Sequence, residues 1–372
     1  MDRKPRVLQI CHDFKGPFGL VARQYATCFA DCDIWTIFLR GAESEEIAAD
    51  IPGDVSFLAL GPGSLRGLKL GVAAQVTSLI GDQVPDIIIA HRYKPFFVAL
   101  QLRARMSIPL ILGVAHEFGF LRRPGRAILT RFWPGEVRLL GVSEPVCQEI
   151  CRRVPRLSSR VHHISHATEV LPILESTDAR QRLGIPPGNY CFGVIGRLVH
   201  KKNHELLIRA FAELDGDPVL AIVGDGVLRD ELTQLAIHLR LGERVIFCGH
   251  QDKASSLMKA FDTFVLPSGP EEAFGMVLLE AMAAQIPILS TDAPGPRSVL
   301  GEAGITFRSG DREHLSEQLR AVRDLTTGER RELTAQGTRR LQEEFSQEVM
   351  SQQLRNIAEV ARLAPGGVEA DV

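Results

Sequence analysis

Two carboxylates in the second half of the chain are spaced to hold the two ends of one long ligand. Glu272 and Glu280 are eight residues apart, at the start and in the middle of an apolar helical stretch. At about 1.5 Å of rise per residue, they lie roughly 12 Å apart along a helix axis. They cannot bind one atom together, but they can hold two ends of one ligand. The backbone amides at the helix start between them suit a phosphate.

Two cations follow a predicted strand at residues 190–195 and can act on the same ligand. Arg197 and Lys202 stand where that strand ends and a helix begins. Positive side chains at such a point can neutralise phosphate oxygens, and they can stabilise the charge that grows when a bond to phosphate breaks. The neighbouring Lys201 is interpreted as part of a solvated surface.

The helix that carries the carboxylates is expected to be buried on most sides. Pro267 and Pro270 end the preceding strand, and residues 274–284 are nearly all apolar or strong helix formers. Glu280 interrupts this run. Because an unpaired buried charge costs several kcal/mol, the sequence predicts that Glu280 has a partner. The alternative interpretation is a capped core helix with one stray glutamate.

These residues require a parallel α/β frame, and the sequence predicts one. Apolar runs alternate with helical stretches along the whole chain, and the runs that predict strands are residues 6–11, 34–39, 86–91, 109–116, 139–143, 190–195, 219–223, 244–249, 262–266 and 287–290. This alternation is typical of α/β proteins, whose parallel sheets bind ligands at the carboxyl ends of their strands.

Polar groups follow several strands of the first half. A loop at residues 12–19 containing Gly16 and Gly19 lies between the first strand and a helix predicted from about residue 20, which is how a Rossmann-like unit begins. His91 and His116 each end a strand, where a ligand would bind. A structural hydrogen bond is the alternative role for either histidine.

Length and composition bound the class of protein. The 372 residues suffice for two domains, and 45% hydrophobic with 24% charged residues is typical of a globular protein. No apolar run approaches about 18 residues, so neither secretion nor a membrane span is expected. The seven cysteines, none in a Cys-x-x-Cys pair, are expected to be reduced and buried, as in the cytoplasm.

Charge is distributed unevenly along the chain. Residues 1–170 hold 21 Lys or Arg against 16 Asp or Glu, and the remainder holds 22 against 29. The segment from Arg122 to Arg160 has nine arginines against three acids. Such a segment is either a solvated face or a surface that meets an anionic membrane or an anionic lipid acceptor. Nucleic acid is not an expected partner, because aromatic residues do not alternate with the arginines.

Several motifs resemble those of one enzyme family. Glu272-Ala-Phe274-Gly275 with Leu278-Leu-Glu280-Ala-Met282 resembles the Glu-x7-Glu signature of the retaining glycosyltransferases of family four, which have the GT-B fold. Gly196-Arg-Leu-Val-His-Lys-Lys202 resembles the family's Gly-Arg-Leu-x-x-x-Lys-Gly, with Asn203 in place of the last glycine. Residues 223–226 resemble its Val-Gly-Asp-Gly.

The resemblance implies an α/β architecture of two Rossmann-like domains, with parallel sheets facing a central cleft. The expected bounds are an acceptor-binding domain at 1–170, a linker at 171–188 and a nucleotide-sugar domain at 189–345. A C-terminal helix within 346–372 is expected to cross back to the first domain and to end in a frayed tail.

The resemblance also implies roles for individual residues. Glu280 would hold the ribose hydroxyls and Glu272 the sugar hydroxyls, Arg197 and Lys202 would stabilise the leaving diphosphate, and His116 would orient the sugar. Backbone groups near the donor are expected at Phe274, Gly275, Met276, Gly16, Gly19, Gly196 and Gly224. Asp225, next to the last of these, is expected to cap the following helix.

The implied activity is that of a retaining hexosyltransferase, which moves a sugar from a UDP- or GDP-hexose to a glycan or glycolipid acceptor. A double displacement needs two carboxyl groups about 5 Å apart, and the spacing of Glu272 and Glu280 does not fit. A front-face mechanism, in which the leaving phosphate takes the acceptor's proton, is therefore favoured. Neither a metal nor a cofactor is expected.

The basic first half favours a lipid-linked or polysaccharide-core acceptor at the inner face of a bacterial membrane, with lipopolysaccharide core assembly as the first hypothesis and a cytoplasmic, peripheral location. The alternatives are a nucleotide-sugar epimerase or hydrolase, and a non-catalytic nucleotide-sugar-binding protein. A Rossmann-fold dehydrogenase is least favoured, because the glycines at 61–67 are spaced wrongly for a dinucleotide loop.

Overall fold

A computed structural model describes residues 3–61, 63–132, 135–168 and 172–364 of the chain. The chain forms two compact units. Unit 1 comprises Met1–Ala167 and Gln347–Val372, and unit 2 comprises Thr168–Ser346.

Unit 1 is built on a seven-stranded parallel sheet. Its strands are β1 (Arg6–Cys11), β2 (Asp33–Phe38), β3 (Asp54–Phe57), β4 (Ile87–His91), β5 (Leu110–Ala115), β6 (Glu136–Gly141) and β7 (Val161–His163). Its helices are α1 (Phe18–Thr27), α2 (Glu45–Asp50), α3 (Leu70–Ile80), α4 (Tyr93–Arg103), α5 (Pro124–Phe132) and α6 (Glu144–Arg153), followed by a 3-10 helix at Pro155–Arg160. The strand order is β3-β2-β1-β4-β5-β6-β7, so the order reverses between β1 and β4.

Unit 2 is built on a six-stranded parallel sheet. Its strands are β8 (Cys191–Ile195), β9 (Val219–Val223), β10 (Val245–Gly249), β11 (Thr263–Leu266), β12 (Ile288–Thr291) and β13 (Ile305–Phe307). Its helices are α7 (Ser176–Leu183), α8 (His204–Phe211), α9 (Arg229–His238), α10 (Met276–Ala283), α11 (Pro294–Leu300), α12 (Arg312–Arg323) and α13 (Thr327–Glu344), with 3-10 helices at His200–Lys202, Gly242–Arg244 and Ala254–Ala260. The strand order is β10-β9-β8-β11-β12-β13.

The central strands are apolar because helices cover both faces of a parallel sheet. Every residue of β4, β5, β9 and β11 is buried. Strands that are buried on both faces have near-continuous apolar sequences instead of alternating ones. His91, at the carboxyl end of β4, is the polar exception in that strand.

The C-terminal helices α14 (Gln347–Arg355) and α15 (Ala358–Leu363) belong to unit 1. Arg355 donates to the Asp31 carboxylate at 2.6 Å, and the Gln353 side chain accepts from the Ser165 amide at 3.0 Å. Arg138 forms an ion pair with Glu359. Polar contacts from three parts of unit 1 thus hold this segment.

The structure changes the predicted bounds of some elements. Helix α1 begins at Phe18, so Gly19 lies inside the helix and not in the preceding loop. Pro17 is its N-cap residue, with φ fixed at −75°, and this backbone geometry starts the helix two residues early. Within the expected linker 171–188, residues Ser176–Leu183 form α7, whose Arg180 donates to Asp262 of unit 2 at 2.6 Å.

The single C-terminal helix predicted within residues 346–372 is also different, because the described part of this segment forms two helices, α14 and α15. Phe345, just before them, is the C-cap residue of α13. Its ring is buried and packs edge-to-face on Phe274 at 5.9 Å, a contact within unit 2. The predicted frayed tail at residues 365–372 and the residues 169–171 lie outside the described part of the chain.

All seven cysteines are free thiols, and four of them are buried. Within the described ranges, none of the helices combines the length and the apolar composition needed to cross a bilayer.

Candidate active site

The two central strands of unit 2 end next to each other. The strand order reverses between β8 and β11, with β9 and β10 on one side and β12 and β13 on the other. The loops after the two strands are joined, since the Gly269 amide donates to the Lys201 carbonyl at 2.8 Å. In an open parallel sheet, the carboxyl ends of the strands at such a reversal form the usual ligand-binding crevice.

A buried ion pair connects these two loops. The Lys202 ammonium donates to the Glu272 carboxylate at 2.5 Å, and the two side chains are only 17% and 11% exposed. Burial tends to raise the pKa of Glu272, but the Lys202 charge and hydrogen bond outweigh it and hold the pKa below its ordinary value. Glu272 is therefore a carboxylate at neutral pH, and Lys202 is held in one position.

Glu280 lacks the partner that its sequence context predicts. Its carboxyl makes no hydrogen bond or ion pair with any residue in the described ranges. Burial raises its pKa to about 7, and the charge of Lys202 opposes that shift without cancelling it. The same lysine thus acts on both carboxylates. At neutral pH Glu280 is poised between its neutral and ionised forms, as expected for a group that awaits a ligand.

The loop after Glu272 leads into the first turn of helix α10, which contains Glu280. Helix α10 begins at Met276, and the amides of Gly275 and Met276 have no carbonyl partner within the helix. Gly275 has φ +92°, and a Cβ there would lie 3.3 Å from Leu266, so the turn requires glycine. Phe274 is buried against Phe345, which fixes the loop on its other side.

Two glycines bring the loops after β8 and β9 into direct contact. A Cβ on Gly224 would lie 2.0 Å from the Gly196 carbonyl oxygen, and Gly224 has φ +136°. The Gly196 amide donates to Val223 at 3.0 Å. Asp225 does not cap α9, because its carboxylate accepts from the adjacent Gly226 amide at 2.7 Å and Leu228 occupies the N-cap position. The expectation that Asp225 is a capping residue is therefore wrong.

Arg197 differs from Lys202 although both follow β8. Its side chain is exposed and makes no ion pair or hydrogen bond to the residues that the structure describes. Of these two cations, Lys202 is fixed by a carboxylate and Arg197 is open to an anionic ligand.

In unit 1, His116 is the middle ring of a chain of three histidines. The His91 Nδ1 atom lies 2.9 Å from His116 Nε2, and His116 Nδ1 lies 3.4 Å from His166 Nε2. The rings are stacked, with centroids 5.2 and 5.3 Å apart, and all three are buried. The position of His116 at a strand end predicted it as a site residue, but His166 had no such signal because it follows β7 in a loop.

Gln9 fixes the tautomers of this chain. Its side-chain nitrogen donates to the Ala22 carbonyl at 3.0 Å, so its oxygen faces His91 Nε2 at 3.1 Å and must accept. A neutral His91 then accepts at Nδ1 from His116, which in turn accepts at Nδ1 from His166. Burial lowers the pKa of His91 to about 3 and that of His166 to about 4, so the rings are neutral. Burial also lowers the pKa of His116.

The histidine chain limits what His116 can do for a sugar. Both of its ring nitrogens already have histidine partners, so a sugar hydroxyl would have to displace His166 to reach one. The predicted loop glycines also differ from each other. Gly16 has φ +62° with open space around it, whereas Gly19 is buried in the first turn of α1, next to Ile47 and Phe14.

Across residues 3–61, 63–132, 135–168 and 172–364, no group of three or more His, Cys, Asp or Glu side chains is arranged to hold a metal ion.

Unit 2 has recognisable relatives. Residues 175–340 match the family model described as glycosyl transferases group 1. The lipopolysaccharide core biosynthesis glycosyltransferase LpsE of Rhizobium meliloti (strain 1021) is 32% identical over 209 residues, which cover 53% of this chain and 60% of LpsE. The chain therefore spans about three fifths of the length of this curated relative.

Solved structures extend the likeness to both units. HepE of Anabaena, in complex with UDP and glucose, has a TM-score of 0.80 at 22% identity, covering 95% of this chain and 98% of HepE. A glycosyltransferase of Rickettsia africae ESF-5 has a TM-score of 0.83 at 15% identity, covering 98% and 100%. At these identities the likeness establishes the fold.

Proposed function

We propose that the chain is a retaining glycosyltransferase, because residues 175–340 match the family model of the glycosyl transferases group 1 and the chain has the GT-B fold. It transfers a hexose from a nucleotide-sugar donor to a glycan or glycolipid acceptor. One observation carries the proposal: the paired Lys202 and Glu272 lie beside the unpaired Glu280, where the loops after β8 and β11 meet.

The donor's polar ends suit the two carboxylates. Glu280 holds the ribose hydroxyls, which offer the hydrogen bonds that its carboxyl lacks in the described structure. Glu272 holds hydroxyls of the transferred sugar, and it stays ionised because Lys202 is beside it. The start of α10 lies between them in the chain, and the amides of Gly275 and Met276 can donate to the diphosphate.

The two cations suit the leaving group. Lys202 is held by Glu272 before any ligand arrives, so its charge needs no rearrangement when the sugar–phosphate bond breaks. Arg197 has an exposed guanidinium that can bind a phosphate through two nitrogens. The close contact of Gly196 with Gly224 fixes the backbone from which Arg197 projects.

The chemistry we propose is a front-face transfer with retention. The bond between the anomeric carbon and the phosphate oxygen breaks, the acceptor hydroxyl attacks from the same face, and its proton passes to the leaving phosphate. Nothing in this scheme needs a carboxylate nucleophile. In unit 1, His116 remains our candidate for contact with the sugar, although its ring nitrogens are engaged by His91 and His166.

For the acceptor we propose a component of lipopolysaccharide core or of another cell-surface polysaccharide, made in the cytoplasm at the inner face of the membrane. The name of LpsE supports this assignment. The segment from Arg122 to Arg160 supports peripheral binding to an anionic membrane, because the apolar side chains of Ile128 and Leu129 are 56% and 38% exposed among its arginines.

A donor assay tests the proposal. The full chain is incubated with UDP-glucose or GDP-mannose, with and without a bacterial lipopolysaccharide acceptor, and the products are followed by mass spectrometry and anomeric NMR. Transfer that needs the acceptor and keeps the anomeric configuration is expected. Epimerised or free sugar as the main product, whether or not acceptor is present, would identify an epimerase or hydrolase instead.

Matched variants test whether the proposed donor-site residues are needed for turnover. Lys202→Ala and Glu280→Ala should both reduce turnover by at least about a hundredfold, whereas Lys201→Ala, which changes an adjacent charge, should not. UDP that raises the unfolding temperature without any transfer, across all acceptors, would indicate a non-catalytic binding protein.

Vesicle flotation tests the membrane part of the proposal. The protein should float with anionic vesicles at low salt, and failure to float removes that part of the proposal.

A further inference from the structure

A cavity in unit 1 has a composition that donor binding does not explain. It has a volume of about 390 Å³, and its lining comes from the loop after β1, the start of α4, the loop after β5 and α5. The charged residues Arg92, Lys94, Glu117 and Arg126 line it, together with the aromatic rings of Tyr93 and Phe120. It lies where the strand order reverses between β1 and β4, which is the ligand-binding end of this sheet.

The cavity has more positive than negative charge. Arg92, Lys94 and Arg126 line it, and Glu117 is the one carboxylate among the lining residues. Glu117 neutralises little of this positive charge, because its side chain is 60% exposed and lies 3.9 Å from the Arg92 guanidinium. Lys69 adds a fourth cation nearby. Its pKa is lowered by burial and then by the charges of Lys94 and Arg126, so these cations repel one another.

Arg126 is held in place at this cavity. Its guanidinium lies over the Tyr93 ring at 4.2 Å and donates to the Phe120 carbonyl at 3.2 Å. Tyr93 and Phe120 pack edge-to-face at 5.7 Å, forming an aromatic wall beside the cation. A fixed guanidinium next to an aromatic wall is a common arrangement for binding a charged group on an organic ligand.

Arg92 adopts a backbone conformation that is normally reserved for glycine. Its φ is +70° and its ψ is 165°, a region that costs an ordinary residue of order 1–3 kcal/mol. The Arg92 amide donates to the Val114 carbonyl at 2.9 Å, and its carbonyl accepts from Phe96 at 3.1 Å, so the conformation is held from both sides. The Arg92 Nε atom is buried and has no hydrogen-bond partner within the described residues.

The start of α4 adds to the positive field. Arg92 is the N-cap residue, and the amides of Tyr93 and Lys94 have no carbonyl partner within this helix of 11 residues. The positive end of the helix dipole thus points to the same place as the side chains of Arg92 and Lys94.

We propose that this cavity binds a phosphate group carried by the acceptor, with Arg92, Lys94 and Arg126 as its ligands. That the phosphate belongs to an acceptor rests on the proposed function. That the cavity binds a phosphate rests on the cavity alone. The phosphate belongs either to a phosphorylated sugar in solution or to the head group of a lipid, and both present the same dianionic or monoanionic oxygens.

Binding measurements on the full chain test the inference. The probes are glycerol 3-phosphate, uncharged glycerol, and vesicles of phosphatidylcholine with or without phosphatidic acid. We expect calorimetry to detect glycerol 3-phosphate and not glycerol. The double variant Lys94→Gln/Arg126→Gln should weaken that binding by more than about tenfold, because each lost charge-assisted bond is worth about a factor of ten or more.

Two further variants act as controls. Arg105→Gln removes an exposed charge from the end of the same segment, outside the cavity, and should leave phosphate binding within about twofold. Arg92→Gly should lose phosphate binding while changing the unfolding temperature little, because relief of the strained φ and ψ offsets the loss of the contact between the guanidinium and the Phe18 ring at 3.7 Å. Loss of binding without loss of stability is a result that a purely structural role for Arg92 would not give.

The outcomes separate this inference from the proposed function. If glycerol 3-phosphate binds and the binding is lost in Lys94→Gln/Arg126→Gln, the phosphate comes from a soluble compound. If only vesicles with phosphatidic acid bind, and the same variant loses that binding, the phosphate belongs to a lipid. Phosphate binding that is absent, or equal in the wild type and in Lys94→Gln/Arg126→Gln, overturns the inference even if UDP still stabilises the protein. Absence of UDP binding alone overturns the donor proposal and leaves the phosphate result standing.

Discussion

Glu280 lies in an environment that disfavours its charged form. It sits in a largely apolar helix without a hydrogen bond or ion pair in the described structure, and its pKa is raised to about 7. Its apolar neighbours predicted a buried helix, and in the structure the Glu280 side chain is half-buried. The sequence did not reveal that it lacks a partner, since Lys202 is 70 residues from Glu272 in the chain and pairs with that carboxylate.

Replacing Glu280 by glutamine should stabilise the protein at pH 8 and weaken nucleotide binding. The folded carboxyl has a pKa of about 7 against 4.5 ordinarily, so the folded state binds more protons between these values and its stability falls as pH rises. Glutamine does not titrate. The gain in unfolding temperature should therefore be largest at pH 8 and be only a small part of that near pH 5, while UDP affinity falls by about tenfold.

Thermal scans from pH 5 to pH 8 measure this effect. Glu343→Gln, at an exposed position on α13, is the matched control and should give a difference that does not change with pH. A Glu280→Gln gain that is the same at both ends of the range would contradict the raised pKa.

Lys202→Ala should destabilise the protein by about 3 kcal/mol, because it leaves the Glu272 carboxylate buried without its cation. Removing both partners should cost much less than the sum of the single changes. Urea unfolding of the two single variants and of Lys202→Ala/Glu272→Ala at pH 7 measures the coupling. The pair's contribution should be present above pH 4.5 and decline as pH falls through the lowered pKa of Glu272. Additive single effects would show that the ion pair is not a unit.

At the scale of elements, the strands were the most predictable part of the fold. Residues 87–90 and 219–223 are apolar throughout, and the structure has β4 at Ile87–His91 and β9 at Val219–Val223. Parallel sheets and the GT-B fold are confirmed. Helix starts were less predictable. Arg92 illustrates why, since its side chain gives no sign that its backbone occupies a glycine conformation.

Because the loops after β8 and β9 touch, we expect alanine substitutions at two glycines to differ sharply in their effect on stability. Gly224→Ala places a Cβ 2.0 Å from the Gly196 carbonyl, so one loop must move, and we expect a loss of about 2–3 kcal/mol together with weaker UDP binding. Gly242→Ala has a similar left-handed backbone, with φ +52°, but open space around it. It should cost about 1 kcal/mol and leave UDP binding unchanged. Equal effects in urea titration and calorimetry would show that the loops can separate freely.

At the scale of the whole molecule, the C-terminal segment completes the first unit and not the second. Leu354 is fully buried, and Arg355, Gln353 and Glu359 bond to parts of unit 1 that precede residue 167. The expectation of a helix returning to the first domain came from the family resemblance. No local pattern in α14 or α15 specifies which sheet they contact.

Leu354→Ala should therefore weaken unit 1 specifically. We expect a loss of about 3 kcal/mol from the cavity that it leaves, with the exposed Gln352→Ala as the matched control. Because we propose that UDP binds to unit 2, the UDP-dependent rise in unfolding temperature should persist in the variant. Hydrogen exchange that increases in β1 and β2 but not in β8 and β11 would locate the effect. Equal loosening of both sheets would contradict the assignment.

The join between β8 and β11 also has a consequence for renaturation. Lys202 and Glu272 are 70 positions apart, and they meet only when two strands separated by β9 and β10 in the chain have paired side by side. Closing so distant a pair is slow compared with forming local helices. After dilution from denaturant, recovery of UDP binding should consequently lag behind recovery of helical circular dichroism, which makes ligand capture a late marker of a correctly assembled chain.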